Sequence, residues 1–273
     1  MNFKLATWNI NSIRARLKLV KRFIDAYQPD ILCLQEIKCA NGSFPTEMFR
    51  SIGFDHIELN GQKAYHGVAT ISRLPIERVE ARDFNGSGDA RHVAVRLAAP
   101  EASDVVLHNF YVPAGGDIPD EKQNQKFAQK LDYLRAMAVW SDEHPKKNAN
   151  RMILVGDLNV APLESDVWSH KQLLRVVSHT PIEVNHMEEL RRAHNWIDVM
   201  RQHIPPDEKL FTWWSYRARD WRASNRGRRL DHIWVTPALD RTAVSLRVID
   251  EARDWEKPSD HVPVLASFDL SAK

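Results

Sequence analysis

The chain opens on a stretch in which Phe3, Leu5, Thr7 and Asn9 alternate with Lys4, Ala6 and Trp8, a period of two that predicts a strand. From residue 14 to 27 the period lengthens. Leu17, Val20, Ile24 and Tyr27 share one helical face, and Arg14, Arg16, Lys18, Lys21 and Arg22 crowd the remainder. A basic amphipathic segment this early also fits a mitochondrial transit peptide, but its removal would take the first strand with it, so no targeting signal is expected. After Pro29 the run Asp30-Ile-Leu-Cys-Leu-Gln-Glu36 has the unbroken apolar character of a buried strand. Further strands are expected at 67–71, 92–97, 104–112, 152–155, 230–235, 244–249 and 262–268. Helices are expected at 45–52, 120–143 and 187–202, the last with Leu190, Ile197 and Met200 as a buried stripe. Strands outnumber helices and the two are interspersed, which points to an α/β or α+β sandwich. Turn chemistry recurs at 85–89, 113–119, 142–150 and 224–227 in loops short enough for one compact body, and no repeat or linker is visible. A single domain over 1–273 is expected.

Composition adds boundaries. Of 273 residues 43% are hydrophobic and 27% charged, so a wholly disordered chain is excluded, and no apolar run approaches the ~18 residues of a membrane span. Two cysteines, Cys33 and Cys39, exclude a disulfide framework and a Cys-rich zinc module. A net charge of +2 favours nucleic acid only weakly. A soluble, cytoplasmic protein is the expectation.

Chemistry is suggested by polar residues standing where strands end. Asn9 closes the first strand, Glu36 the second, and Asp157 and Asn159 follow an apolar run in Gly-Asp-Leu-Asn. Asp231 opens another run, and Asp260-His261 precede the last strand. Alone, an Asp or Asn after a strand is usually a turn residue, and a Ser-Asp-His tripeptide is worth little. Together, each against an apolar strand, they form a stronger signal, because strand ends of a sheet can converge on one edge. Carboxylate and amide oxygens are hard ligands suited to Mg²⁺ or Mn²⁺, and none of the twelve histidines has the helical spacing of a zinc protease. One histidine beside an aspartate then fits phosphodiester hydrolysis better than acyl transfer, for which no G-x-S-x-G elbow is present.

The sequence resembles the exonuclease III family of apurinic/apyrimidinic endonucleases, within the endonuclease/exonuclease/phosphatase superfamily. The motifs are WNIN at 8–11, LQE at 34–36, HGV at 66–68, FYVP at 110–113, GDLN at 156–159, RLDHI at 229–233 and KPSDHVPV at 257–264. The resemblance implies a four-layered α/β sandwich, two mixed β-sheets packed face to face with flanking helices. It implies that Glu36 is the principal ligand of Mg²⁺, for which Mn²⁺ would substitute, with Asn9, Asp157, Asn159, Asp260 and His261 around the ion. Asp157 would activate the attacking water, oriented by Asn159. His261, held by Asp231, would contact a phosphate oxygen, and Tyr111 would lie against the phosphate or the leaving oxygen.

Residues 211–234 read FTWWSYRARDWRASNRGRRLDHIW, with six arginines (217, 219, 222, 226, 228 and 229), no lysine and four interleaved aromatics, Trp213, Trp214, Tyr216 and Trp221. Arginine forks match phosphates and aromatic faces stack on bases, so this segment is expected to face DNA, although some of its tryptophans are ordinary core. By resemblance Trp213 and Leu230 would line the pocket of a flipped abasic sugar, with Trp214, Arg217, Arg226 and Arg228 nearby. Arg228 stands where some relatives carry an apolar or aromatic wall, which bears on pocket shape and on the balance of activities. Asn11, Arg14 and Arg91 would add contacts. The expected partner is double-stranded DNA with abasic sites or blocked 3′ ends, met by a monomer with no obligate protein partner and no membrane. The expected activity is a repair nuclease cutting 5′ to abasic sites, with 3′→5′ exonuclease and 3′-trimming action. The rivals are a paralogue specialised for 3′ ends, a superfamily phosphatase on other phosphate esters, and a DNA-binding module without catalysis.

Overall fold

The computed structural model describes residues 1–144, 149–218 and 220–271; Arg219 and part of the expected 142–150 loop lie outside them. The first half runs β1 (Asn2–Asn9), α1 (Ile13–Tyr27), β2 (Ile31–Gln35), α2 (Thr46–Arg50), β3 (His56–Asn60), β4 (Val68–Ser72), β5 (Ile76–Glu80), β6 (His92–Leu97) and β7 (Val105–Tyr111). There follow α3 (Gln125–Glu143), β8 (Arg151–Asp157), α4 (His170–Leu173), α5 (Pro181–Ala193), β9 (Ile197–Asp198), α6 (Val199–His203) and β10 (Trp213–Trp214). The chain closes with α7 (Trp221–Ser224), β11 (Gly227–Arg228), β12 (Asp231–Val235), β13 (Ala243–Val248) and β14 (Val264–Asp269).

Among the described residues these strands form two six-stranded mixed sheets, ordered β13-β14-β1-β2-β4-β3 and β5-β6-β7-β8-β12-β9, and a small β10-β11 ribbon. The side-chain period of two explains the layering. In the first sheet Leu5, Ile31 and Cys33 pack into one cluster with Val95, Leu107, Ile153, Val155 and Ile233 of the second. The intervening residues Ala6, Trp8, Leu32 and Leu34 face the other way and pack with Val20, Phe23 and Ile24 of α1. On the second sheet's outer face Phe110, Leu154 and Trp234 meet Leu134, Met137 and Trp140 of α3 and Met187 and Leu190 of α5. The result is helix, sheet, sheet, helix, the four-layered α/β sandwich.

Local signals place the helix ends. Ser12 Oγ accepts from the Ala15 N–H at the start of α1, and Thr180 with Glu183 forms a capping box ahead of Pro181 on α5. One expected helix is corrected. The 187–202 periodicity belongs to two helices, because Asn195 turns the backbone left-handed (φ 55°) and Ile197–Asp198 joins the second sheet as β9. The Asp198 side chain then accepts from the Met200 and Arg201 N–H groups to start α6. The helix expected from 120 begins at Gln125, capped by Asn124. Two edge strands, β3 and β5, stand where none was expected; each pairs by hydrogen bonds with only one neighbour and leaves residues partly solvated. No helix among the described residues is long and apolar enough to cross a membrane.

Candidate active site

Strand direction gathers the polar residues. Asn9 ends β1 and Glu36 follows β2, its parallel neighbour. Tyr111 ends β7 and is in register with Asp157 at the end of parallel β8, while Asp157 lies directly opposite Asp231 at the start of antiparallel β12. Asp260 and His261 enter β14, which runs antiparallel to β1. The row needs Gly156, whose φ of 135° suits glycine and whose Cβ, if it had one, would collide with the Phe110 carbonyl oxygen. Several non-glycine residues here also hold positive φ, among them Asn11 (47°), Glu36 (50°), Lys38 (52°), His66 (52°) and Asn159 (54°). Such conformations cost free energy and persist where surrounding contacts enforce them.

The side chains then converge. Asn9 Nδ2 donates to Glu36 Oε1 (2.9 Å) and to Asp157 Oδ2 (2.8 Å), tying a residue of each sheet to one amide, while Asn9 Oδ1 accepts from the Asn11 N–H (3.1 Å). Asn159 gives its backbone N–H to Asp157 Oδ1 (2.9 Å) and its Nδ2 to Oδ2 (3.1 Å). His261 Nδ1 lies 2.8 Å from Asp231 Oδ2, and its Nε2 lies 3.6 Å from Asp157 Oδ2. Asp260 accepts from Asn11 Nδ2 (3.1 Å) and from the Trp213 indole (3.0 Å). Glu36 Oε2 pairs with Lys38 Nζ at 2.9 Å.

Burial sets the electrostatics. It would make His261 a weaker base, but the Asp231 and Asp157 carboxylates outweigh it and raise the imidazole to about 10. Burial raises Asp157, against the pull of His261 and with a push from Asp231, to about 7. Glu36 stays below the ordinary carboxylate range despite burial because Lys38 faces it, and Asp260 does so chiefly through His261. Tyr111 is held protonated, first by burial and then by Glu36 and Asp157. Glu36, Asp157 and Asp260 line one cleft and offer oxygen atoms rather than sulfur. Such a set fits a hard divalent cation. Asp157, Asp231 and His261 also converge closely enough to hold an ion, although His261 Nδ1 is taken by Asp231.

The cleft encloses about 560 Å³, and Trp213, Arg217, Arg226, Arg228 and Leu230 line it beside the acids, Tyr111 and His261. Other residues singled out in the sequence are placed elsewhere. Trp214 is buried against Phe211 and Trp221, and its indole bonds Asn225. Arg91 is buried behind Tyr111, paired with Asp89 and 4.9 Å over the Tyr111 ring. Arg222 pairs with Asp254 on the surface, and Arg229 is wholly buried between Asp166 and Asp198. Arg14 is exposed on α1, and Asn11 sits at the rim. The structure adds residues that sequence reasoning missed. Lys38 neutralises Glu36 and donates to Asn11 Oδ1 (2.7 Å), and Trp168 carries Arg226 at 4.7 Å on the cleft wall. For Lys38 no spacing rule gave a signal; for Trp168 the signal was a lone indole in a polar loop.

Residues 6–261 match the model of the Endonuclease/Exonuclease/phosphatase family, and the chain belongs to that family. It is 31% identical to exodeoxyribonuclease III of Haemophilus influenzae over 97% of this chain and 99% of that protein. An AP endonuclease from Archaeoglobus fulgidus superposes with a TM-score of 0.88 at 32% identity, over 98% of this chain and 99% of the other. The 3′ phosphatase NExo from Neisseria, bound to a product DNA hairpin, does so at 0.86 and 30%, with coverage of 98% and 99%.

Proposed function

We propose that this family member is a divalent-metal-dependent DNA-repair nuclease. It hydrolyses the phosphodiester 5′ to an abasic site, leaving a 3′-hydroxyl, and trims blocked 3′ ends as a 3′→5′ exonuclease and 3′-phosphatase. Double-stranded DNA is the substrate, and the chain acts as one catalytic domain, as a monomer and in the cytoplasm. The similarity to exodeoxyribonuclease III, to an AP endonuclease and to a 3′ phosphatase supports this reading from outside. The observation that carries it from within is the row formed by Asp157 and Asp231 in facing register, with His261 between them, in a cleft whose other wall is Trp213 and arginine.

Glu36, Asp157 and Asp260 would hold Mg²⁺, or Mn²⁺ in its place, with Asn9 and Asn159 beside them. When bound there, the ion would supply Lewis-acid stabilisation of the charge on the phosphoryl and departing oxygens. Asp157 accepts the proton of the attacking water, and the two Asn159 donors fix its carboxylate for that task. His261, kept cationic and oriented by Asp231, donates toward a phosphoryl oxygen as negative charge develops. Tyr111, protonated and packed beside both carboxylates, donates toward the phosphate or the departing oxygen. Leu230 and Trp213 face the sugar, and Arg217 and Arg226 meet backbone phosphates, with Asn11 and Arg14 at the periphery.

The test is an end-labelled duplex with one abasic site. With Mg²⁺ a single nick 5′ to the site is expected, abolished by a chelator and restored by added Mg²⁺ or Mn²⁺. An uncut strand in the presence of either ion would overturn the reading.

A further inference from the structure

Of the arginines that line the cleft, Arg217 and Arg226 are exposed and Arg228 is half-buried. It belongs to the β10-β11 ribbon, where it is in register with Trp213, and its guanidinium lies 5.1 Å from the centroid of that indole. Its NH1 donates to the Val177 carbonyl (2.9 Å) and to Ser178 Oγ (2.8 Å), both uncharged. Its Nε is buried with no hydrogen-bond partner, and among the described residues no carboxylate lies within ion-pair distance of it. The adjacent Arg229 shows the alternative: wholly buried, it is held by Asp166 and Asp198 together. Glu183, the acid whose field reaches Arg228, is itself paired with buried Lys130. A half-buried guanidinium without an anion is costly to the free protein, and a carboxylate or phosphate would complete it with a forked pair of hydrogen bonds.

The position of this unsatisfied cation is informative. The same Trp213 ring that carries Arg228 on its face gives its indole N–H to Asp260 (3.0 Å), and its backbone bridges to His261. Arg228 therefore stands one indole away from the acids and imidazole that surround the reacting phosphorus, on the wall shared with Leu230. A group lodged there is attached to the phosphorus under attack or lies just beyond it. An abasic sugar at that place is neutral and leaves the guanidinium without an anionic partner. A terminal phosphomonoester, or a fragment ending in a carboxylate, supplies the missing charge.

We infer that Arg228 forms an anion subsite that selects DNA 3′ ends bearing a negatively charged terminal group over an internal abasic site. The inference rests on the nuclease reading above and deepens it, turning the balance of activities toward 3′-end cleaning. In the favoured reaction the oxygen of water bonds to the terminal phosphorus and the bond between phosphorus and the 3′ oxygen breaks. The departing 3′ oxygen takes a proton, so that a 3′-hydroxyl end and inorganic phosphate are the products. Arg228 binds the charge that the terminal phosphate carries beyond that of a diester, and takes no part in proton transfer.

The experiment compares kcat/KM on two duplexes with one enzyme preparation, one nicked with a 3′-phosphate and one carrying an internal abasic site. Taking both rates from the same sample cancels any loss of folded protein. Arg228→Leu should lower the ratio of 3′-phosphate to abasic activity by about 10–100-fold, the range of a hydrogen-bonded charge pair. Arg228→Lys should fall between, because it keeps the charge and loses the fork. An unchanged ratio in Arg228→Leu, with both activities equal to wild type or lowered together, would overturn the inference. A wild-type enzyme that processes neither duplex would overturn the nuclease reading instead.

Discussion

Two sets of buried histidines in this molecule show opposite chemistry. His261, at the strand-end rim, and His108, on the helix-covered face of the second sheet, are 5% and 2% exposed, so burial does not distinguish them. His261 has Asp231 on one nitrogen and Asp157 near the other, and is held as a cation. His108 instead faces His92, with Nδ1 3.1 Å from His92 Nε2. The Arg82 N–H points at His92 Nδ1 (3.2 Å), which places the His92 proton on Nε2 and makes His92 the donor to His108. Glu80 is close to this pair, but Arg82 engages it at 3.2 Å. Burial, with His144 and Arg82 adding to it, lowers His108 to about 3, and His92 is lowered in the same way. A buried histidine is therefore neutral by default, and the strand-end rim is the place where carboxylates reverse that outcome.

The contrast can be tested at several strengths. The largest effect should come from the acid and imidazole of the rim: Asp157→Asn and His261→Gln should each lower abasic incision by about 10³-fold or more, with duplex binding still measurable by gel shift. Full activity in either variant would remove the rim from the chemistry. Asp231→Asn should cost about 10²-fold or more, because it leaves His261 in place and withdraws the carboxylate that keeps it charged and oriented. On the neutral side, His108→Gln should leave incision within about twofold and lower unfolding free energy by roughly 1–3 kcal/mol, read from urea denaturation. A large catalytic defect there would erase the distinction.

The smallest and most general effect is on pH dependence. His108 binds its proton only near pH 3 when folded but near pH 6.5 when unfolded. Between those values the unfolded chain holds more protons, so the stability contributed above pH 6.5 is lost as pH falls toward 3. The slope is at most about 1.4 kcal/mol per pH unit for one group. His232, lowered to about 4 by burial and then by Arg229, adds a term of the same sign. The groups facing His108, namely His92, His144, Arg82, His194 and the Arg82-bound Glu80, supply no free acid to oppose it. Urea midpoints at pH 7 and pH 5 should therefore fall with acidity, and His108→Gln should flatten the trend.

What was legible in the sequence follows from where each contact comes from. Asn9, Glu36, Asp157 and Asp260-His261 stood out because a polar residue at the end of an apolar strand interrupts a short-range pattern. The facing of Asp157 and Asp231 is a matter of register between β8 and β12, 74 positions apart, and no local pattern encodes it. Arg228 and Arg229 are neighbours with identical local credentials. One lines the cleft and the other is enclosed by Asp166 and Asp198, acids supplied from distant segments. Trp213 and Trp214 divide in the same way, because successive residues of a strand point to opposite faces. Residues 187–202 misled because Leu190, Ile197 and Met200 keep a helical spacing across the left-handed turn at Asn195.

The single amide of Asn9 has a further consequence. Its Nδ2 reaches Glu36 within its own sheet and Asp157 in the other, so the polar groups of the cleft are supplied by both sheets. Neither sheet carries the whole set. Competence to cut DNA should arise only when the two sheets are packed face to face.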